Sequence, residues 1–247
     1  MLALIKYFFK ASFRDKTFLF FDWIFPVALI TAIAIFTRGK SYSTFFLPSL
    51  MAFLLLQNLI YAIPYRIAQF RENSVLHIIA EEGNITLFTM AFLITRVILV
   101  ALQGALFLPI GILILKPAIE IKPEWVFFAF VFSLFAIGGF SMLIAVFAKN
   151  ANSAYGLAQL FYISLSALSG IFYPLESYPK ILRVIGEILP LSSSRSLMEY
   201  ALLSGGEVPL KECIYLFVFG IVTLFIGAIL FKRVLNSRYK VVDVIPN

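Results

Sequence analysis

The sequence contains, at residues 97–115, the run VILVALQGALFLPIGILIL, in which no side chain is charged. Because the run has 19 residues, an α-helix formed from it is about 29 Å long, close to the thickness of the hydrocarbon core of a bilayer. Gln103 is its one polar side chain. The run therefore predicts a transmembrane helix.

Five further runs resemble it in length and in their low content of charge. They cover residues 18–36, 45–63, 125–147, 151–172 and 213–231. Of all residues 62% are hydrophobic and 13% are charged, whereas a soluble domain carries about 25% charged residues. Lipid is thus the main solvent, and we expect a single all-α integral membrane domain, residues 1–247, with six transmembrane helices.

The basic residues orient these helices. An even number of spans places both termini on one side, and twelve of the 20 lysines and arginines then lie on that side and eight on the other. Positive charge accumulates in the cytoplasm, so the prediction is cytoplasmic termini, with residues 232–247 as a tail, in the cytoplasmic (inner) membrane. The net charge of +7 is scattered between apolar runs, which indicates contacts with lipid headgroups rather than nucleic acid.

The N-terminal segment, residues 1–16, carries Lys6, Lys10 and Arg14 at four-residue spacing, with apolar residues on the opposite side. This pattern is typical of an amphipathic helix lying at the membrane surface. A signal peptide is the alternative, because Ala32-Ile33-Ala34 resembles a cleavage site. The long charged region before the apolar run argues against it.

Two connections are too long to be simple turns. Residues 65–86, predicted to be cytoplasmic, interleave charged and apolar side chains, which favours short helices against the membrane or a partner over a solvated loop. Residues 175–212, predicted to be external, include a helical apolar period over 181–189 that is too short to span. We expect re-entrant or interfacial helices there, one over this period and one after Pro190.

The sequence offers few candidate catalytic residues or motifs. The single His and the single Cys, His77 and Cys213, fall on opposite sides of the predicted membrane, which excludes a His-Cys pair and argues against a metal site. Gly39-Lys40-Ser41 lacks the earlier glycine of a phosphate-binding loop. The sequence therefore predicts neither an enzyme nor a chain that hydrolyses ATP unaided.

Two groups of side chains inside the spans leave alternatives open. Polar residues in hydrocarbon mark function or bond neighbouring helices; they are Asp22, Gln57, Asn58, Arg96, Gln103 and Gln159. Small residues permit close helix packing within one subunit or between two copies; they are Gly138, Gly139, Ser141, Ser153, Gly156, Ser164, Ser166, Ser169 and Gly170.

One longer motif resembles a known family. Residues 168–176 are LSGIFYPLE, followed by Pro179 and by LPL at residues 189–191. This order is similar to the outer signature of the membrane permeases of type-2 ATP-binding-cassette (ABC) exporters. Arg14-Asp15 and Arg71-Glu72 are similar to the family's entry pattern and to the start of its cytoplasmic coupling segment, although NSVLH at residues 73–77 departs from the usual continuation.

The resemblance implies a permease subunit that pairs with a second copy or a paralogue and binds cytoplasmic ABC ATPase subunits. ATP and Mg²⁺ belong to those partners, and this chain binds no cofactor itself. Substrates of such exporters include drugs, lipids and lipid-linked polysaccharides. The alternative is an ATP-independent carrier or an assembly scaffold, although the paired half-repeats of many carriers are missing from the sequence.

The same resemblance assigns roles to particular residues. Coupling to the ATPase falls to Arg71, Glu72, Asn73, Ser74, Val75 and Leu76. The outer gate or re-entrant motif comprises Ser169, Gly170, Tyr173, Pro174, Glu176, Pro179 and Pro190.

Overall fold

A computed structural model describes residues 1–14, 16–36, 40–73, 85–117, 119–203 and 206–242, and all regular secondary structure in these residues is helical. The elements are α1 (Leu2–Arg14), α2 (Lys16–Leu19), a π-helical turn (Phe20–Ile24), α3 (Phe25–Phe36), α4 (Lys40–Glu72), α5 (Ile85–Leu115), α6 (Pro123–Phe147), α7 (Ala151–Leu168), a 3₁₀ turn (Leu175–Ser177), α8 (Lys180–Ile188), α9 (Pro190–Leu202) and α10 (Leu210–Val242).

Within the described residues, four helical segments are long and apolar enough to cross a membrane. They are Tyr42–Glu72, Leu87–Leu115, Pro123–Phe147 and Leu210–Leu230, and a shorter apolar helix covers Asp22–Ile33. The predicted all-α membrane fold is thereby confirmed. The first predicted span is represented by that shorter helix, the fifth is not among the four, and the count of six spans stays a prediction.

Several helices extend beyond the apolar runs that predict them. Helix α4 continues to Glu72, so residues 65–72 prolong a spanning helix instead of forming a separate short one, as the sequence led us to expect. Helix α10 continues to Val242, which makes the first part of the predicted tail helical. High hydropathy identifies only the part of a helix that lies in the hydrocarbon core, whereas the backbone hydrogen bonds of the same helix continue into the interface.

Helix α4 is the centre of the bundle. The most apolar part of its spanning segment is 89% buried, and it packs against α5, α6, α7 and α9. The corresponding parts of the segments in α5 and α10 are only 28% and 22% buried. The outer helices thus present apolar side chains to lipid and enclose α4 on their inner faces.

The predicted N-terminal helix is present as α1, which packs against α5. Phe8 is buried among Phe70, Phe88 and Phe92, with ring centroids 6.0, 5.0 and 5.5 Å away. Its three basic side chains are exposed: Lys6, Lys10 and Arg14. Helix α1 is therefore amphipathic, with its buried aromatic side chain fixed to α4 and α5.

Helices α6 and α10 approach closely through glycine. A Cβ added at Gly139 would lie 2.3 Å from Thr223 Oγ1 and 3.1 Å from the Gly220 carbonyl oxygen. At Gly138 and Gly156 an added Cβ would meet nothing within 4 Å. Packing within the subunit therefore explains Gly139. Gly138 and Gly156 each face open space in this subunit.

We expect Gly139→Ala to destabilise the bundle by about 1–3 kcal/mol, because the new methyl group overpacks a contact with a backbone carbonyl. Gly138→Ala is the matched control, and we expect a neutral or slightly stabilising effect, since alanine is the better helix former by roughly 1 kcal/mol. Thermal unfolding of both variants in the same detergent measures the difference. Equal melting temperatures would contradict this account of the packing.

Chemical labelling of the connections at the two ends of α6 can test the predicted topology. Glu120 precedes α6 and Lys149 follows it, and both are exposed. In a Cys213→Ser background, we expect Glu120→Cys to react with a membrane-impermeant maleimide in intact cells. Lys149→Cys should react only after permeabilisation. The reverse pattern would show that the predicted orientation is wrong.

Candidate functional site

A cleft of about 880 Å³ gathers most of the polar side chains that the sequence places inside the spans. Asp22 comes from the π-helical turn, Gln57 and Asn58 from α4, Arg96 from α5 and Gln159 from α7. The sixth candidate, Gln103, is not among the lining residues, but its Nε2 donates to the Asp22 carbonyl oxygen at 3.0 Å. Side chains that are distant in sequence therefore form one site.

One wall of the cleft is rich in tyrosine. Tyr61 donates a hydrogen bond from its hydroxyl to Gln159 Oε1, and its ring centroid lies 5.6 Å from that of Tyr155 and 5.2 Å from that of Tyr162. Tyr65 completes this wall. Aromatic rings with polar tips present both apolar surface and hydrogen-bonding groups, so the wall suits a molecule with both properties.

Deeper in the cleft, Asn58 is 2% exposed and its Nδ2 donates to the Leu54 carbonyl oxygen at 3.1 Å. Its Oδ1 has no hydrogen-bond partner among the described residues. A buried acceptor without a partner costs about 1–3 kcal/mol. This oxygen is consequently a point at which a ligand or a water molecule bonds favourably.

Charged side chains line the cleft as well. Arg96 is 5% exposed, and its guanidinium lies 5.4 Å from the centroid of the Phe92 ring. Arg66 donates from Nη1 to Gln69 Oε1 at 3.1 Å. Asp22 is the third charged side chain among the described residues that line the cleft.

These features suit binding rather than catalysis. The volume lies within the range of about 300–1,000 Å³ typical of small-molecule sites. Charged side chains within membrane segments normally face water-filled cavities and mark the path of a substrate or ion. No group of three or more His, Cys, Asp or Glu converges as a possible metal site in the described part of the chain.

Comparison with protein-family models assigns the chain. The model for the ABC-2 type transporter matches residues 1–203. The chain belongs to the ABC-2 type transporter family. It is thus a membrane permease component of an ABC transporter, and the matched domain is a transport domain rather than a catalytic one. A search of curated proteins finds no match.

In the permease, Arg71 of the predicted coupling segment joins two helices. Its Nη2 donates to the carbonyl oxygens of Ala145 and Ala148, at 2.6 and 2.8 Å. These carbonyls lie at the C-terminal end of α6, where the helix itself provides no partner and the dipole favours positive charge. Arg71 therefore fixes the end of α4 to the connection between α6 and α7.

That connection is short and internally bonded. Asn150 caps α7 by accepting from the Ser153 backbone N–H at 2.7 Å, and Ser153 Oγ accepts from the Asn150 N–H at 3.0 Å. Beside Arg71, Glu72 and Asn73 are exposed. The remaining predicted coupling residues, Ser74, Val75 and Leu76, lie outside the described residues.

The predicted outer motif forms the turn between α7 and α8. Gly170 has a φ of 72°, which favours glycine, and an added Cβ would lie 2.7 Å from Leu175 Cγ. Pro174 and Pro179 precede the 3₁₀ turn and α8. Tyr173 and Glu176 are exposed, whereas Ser169 and Pro190 are buried.

Hydrogen bonds close this turn onto α9. Ser192 donates to the Ser169 carbonyl oxygen at 3.2 Å and also to that of Gly186. Tyr178 donates to the Ala167 carbonyl oxygen at 2.8 Å, and burial raises the pKa of Tyr178, so its hydroxyl stays a neutral donor. The structure thus brings the two ends of the motif, Ser169 and Pro190, together through Ser192.

The tyrosine wall was not predicted from the sequence, although a signal was present. Tyr155, Gln159 and Tyr162 follow the i, i+4, i+7 spacing of one helix face, and Tyr61 and Tyr65 are four residues apart. Tyrosine in a membrane protein is usually assigned to the aromatic belts. Their spacing along one helix face could have distinguished these tyrosines from the residues of an aromatic belt.

We expect Arg71→Ala to loosen the joint between α4 and α6, because hydrogen bonds to charged groups contribute about 1.5–3 kcal/mol. Hydrogen exchange measured by mass spectrometry should become faster across residues 145–150. Glu72→Ala, one residue away and exposed, is the control and should leave this exchange unchanged. Unaltered exchange in the Arg71 variant would remove the proposed role of this contact.

Proposed function

We propose that the permease is an exporter subunit that receives its substrate in the polar cleft and works as a pair, driven by two cytoplasmic ABC ATPase subunits that bind the ATP and Mg²⁺. The observation that carries this proposal is the position of the cleft. Its lining extends from Arg66, near the end of α4 that leads into the predicted coupling segment, to Gln57 at about the middle of that helix.

The positions of the charged cleft residues within their helices support this placement. Asp22 is six residues from the start of α2, Arg66 six from the end of α4 and Arg96 eleven from the start of α5. At about 1.5 Å per residue, these distances are roughly 9 to 17 Å from one end of the bundle. With the termini in the cytoplasm, as the basic residues predict, the cleft is loaded from the inner side.

The proposal uses the six predicted spans, of which residues 18–36 and α7 are the two outside the four long apolar helices. Both contribute to the cleft, through Asp22 and Gln159. A segment that lines an aqueous path carries polar side chains on that face and is therefore less apolar than one surrounded by lipid. The polar side chains of these two segments are therefore compatible with a spanning position.

Coupling is proposed to pass through the end of α4. Glu72 and Asn73 are exposed there, next to the Arg71 contact with α6. Charged residues at a protein contact fix its orientation and its partner. An ATPase that binds this end would act on α4 directly and, through Arg71, on the connection between α6 and α7.

The opposite end has the features of a closed outer gate. Helix α9 is buried among α4, α6 and α10, which suits a re-entrant helix. Helix α8 leaves Ile181, Val184 and Ile188 exposed, which suits contact with the outer surface of the membrane. A substrate leaving the cleft would pass these helices.

The test combines association and transport. The permease is co-expressed with ABC ATPases from the same genome, and Glu72→Lys should reduce co-purification of the ATPase or ATP-dependent transport, because a reversed charge at the contact repels its partner. Glu120→Lys, at the other end of α6, is the control and should behave as wild type.

Two results would contradict the proposal. One is wild-type association and transport by the Glu72 variant, which would remove the coupling contact. The other is transport by the permease alone, driven by an ion gradient without ATP, which would favour the alternative class of ATP-independent carriers.

A further inference from the structure

We infer that Arg195 of α9 is the positioning residue that keeps the proposed outer gate closed, through a contact with α4 that can be released and formed again. The inference rests on the proposed function, which assigns α9 to the outer gate. It goes further by naming the residue that holds the gate and the interface at which the gate opens, the one between α9 and α4.

Arg195 links the middle of α9 to α4 through two contacts. Its Nε donates to Ser49 Oγ at 2.9 Å, and its guanidinium carbon lies 4.4 Å from the centroid of the Phe45 ring. Ser49 is fully buried, and Arg195 is 13% exposed. A charge-assisted hydrogen bond and a cation over an aromatic ring are both stronger where water is largely excluded. The two contacts therefore hold α9 against α4.

The contact can break without leaving either partner unpaired. Ser49 Oγ donates to the Phe45 carbonyl oxygen at 3.1 Å within α4. Arg195 Nη1 lies 3.2 Å from Glu199 Oε2 within α9. Each partner thus keeps a bond inside its own helix when the two helices part. A buried ion pair between two helices differs, because parting leaves both charges uncompensated at a large cost. The link through Arg195 is consequently suited to repeated opening.

The C-terminal end of α9 is held to a different neighbour by backbone groups. The N–H groups of Glu120 and Lys122 donate to the carbonyl oxygens of Leu202 and Ala201, at 3.0 and 2.9 Å. Lys122 Nζ donates to the Tyr200 carbonyl oxygen at 3.2 Å. These bonds satisfy carbonyls that the end of a helix leaves without partners. Helix α9 is thereby attached to the segment that leads into α6, so we expect it to stay with α6 and to separate from α4.

A proline lies inside the part of α4 that Arg195 contacts. Phe45 and Ser49 stand on either side of Pro48, within one continuous helix. Proline has no N–H group, so it removes one backbone hydrogen bond and permits the helix to bend. Bending at Pro48 changes the positions of Phe45 and Ser49 relative to each other. A movement of α4 can therefore weaken both contacts of Arg195 together.

The reactivity of a cysteine in α9 measures the opening. Met198 lies three residues after Arg195, on the same side of the helix, and is 2% exposed. In a Cys213→Ser background, the Met198→Cys permease is placed in nanodiscs and its reaction with a water-soluble maleimide is timed. When closing is fast, the reaction rate follows the population of the open form. Nanodiscs leave both faces accessible, so the result does not depend on the predicted orientation.

Variants of the contact should change this rate in a defined order. Arg195→Met keeps the length of the side chain but removes its charge and its hydrogen bond, and should raise the rate about tenfold or more. Ser49→Ala removes only the acceptor and should raise the rate less, because the contact with Phe45 remains. Arg195→Gln keeps a donor nitrogen at the position of Nε and should also raise the rate less than Arg195→Met.

A second arginine provides the matched control. Arg183 on α8 is also paired with a glutamate four residues later, with Nε 2.9 Å from Glu187 Oε1, and it is exposed. Arg183→Met removes an equivalent pair and should leave the rate unchanged. The combination of Ser49→Ala with Arg195→Met should react as fast as Arg195→Met alone, because the hydrogen bond is already absent. Fully additive effects would show that the two residues act independently and would overturn the inference.

A remote reporter separates gate opening from general loss of packing. Ala91 is fully buried in α5, and in an Ala91→Cys reporter Arg195→Met should leave the reaction rate unchanged. An equal increase at both reporters would assign Arg195 to general stability and overturn its role at the gate. Unchanged labelling of Met198→Cys in the Ser49→Ala variant would do the same, and this variant carries the test alone if Arg195→Met does not fold.

The labelling contains neither ATP nor an ATPase, so its result is independent of the test of export. Unchanged labelling would remove the role of Arg195 and leave the proposed export function standing. Transport driven by an ion gradient without ATP would remove the proposed function, while the measured dependence of α9 on Arg195 would remain.

Discussion

Every side chain from residue 46 to residue 60 in α4 is buried. A helix surrounded by protein inside a membrane gives up contact with lipid on all sides, so its neighbours have to supply both its apolar contacts and the partners of its polar groups. This constraint determines the arrangement of α5, α6, α7 and α9, which all pack against α4. It also explains why the polar cleft forms beside α4, where Gln57 and Asn58 are shielded from hydrocarbon.

The sequence predicts the helices well because the cost of burying unpaired backbone groups in lipid leaves few other structures. It predicts the ends of helices poorly. Residues 65–72 have the charged, amphipathic pattern of a surface segment, yet they continue α4, because Phe70 packs against Phe8 of α1 and Arg71 bonds to the end of α6. Both contacts join residues that are far apart in sequence, and local composition contains no information about them.

The cleft shows the same limit of prediction from local sequence. Each polar residue in a span is identifiable from the sequence because it is unusual in hydrocarbon, and five such residues do line the cleft. Their convergence depends on how four helical segments are rotated about their axes, which a single sequence leaves undetermined. Arg71 shows another contact that composition does not reveal. Its place in a predicted coupling segment suggests a partner, and the structure adds two acceptors within the chain, the carbonyl oxygens of Ala145 and Ala148.

Lipid also determines how the helices hold together. Apolar side chains gain little by leaving lipid for protein, so association depends on close packing and on polar contacts. Gly139 provides the close packing between α6 and α10, and Arg195 provides a polar contact near the predicted outer end, donating from Nε to Ser49 Oγ at 2.9 Å. Because such contacts depend on particular residues, exchanging one of them allows a helix to shift relative to its neighbour.

Helix α4 carries both the cleft and the contact with the end of α6. Arg66 lines the cleft, and Arg71, five residues further on, bonds to Ala145 and Ala148. Five residues of helix span about 7.5 Å, too short a distance for a rigid helix to move at one point and stay still at the other. Under the proposed function, a force applied to the exposed Glu72 would therefore also move Arg66, which lines the cleft. Under the proposed function, the cleft and the coupling end would be linked through this one helix, without a separate chain of residues to connect them.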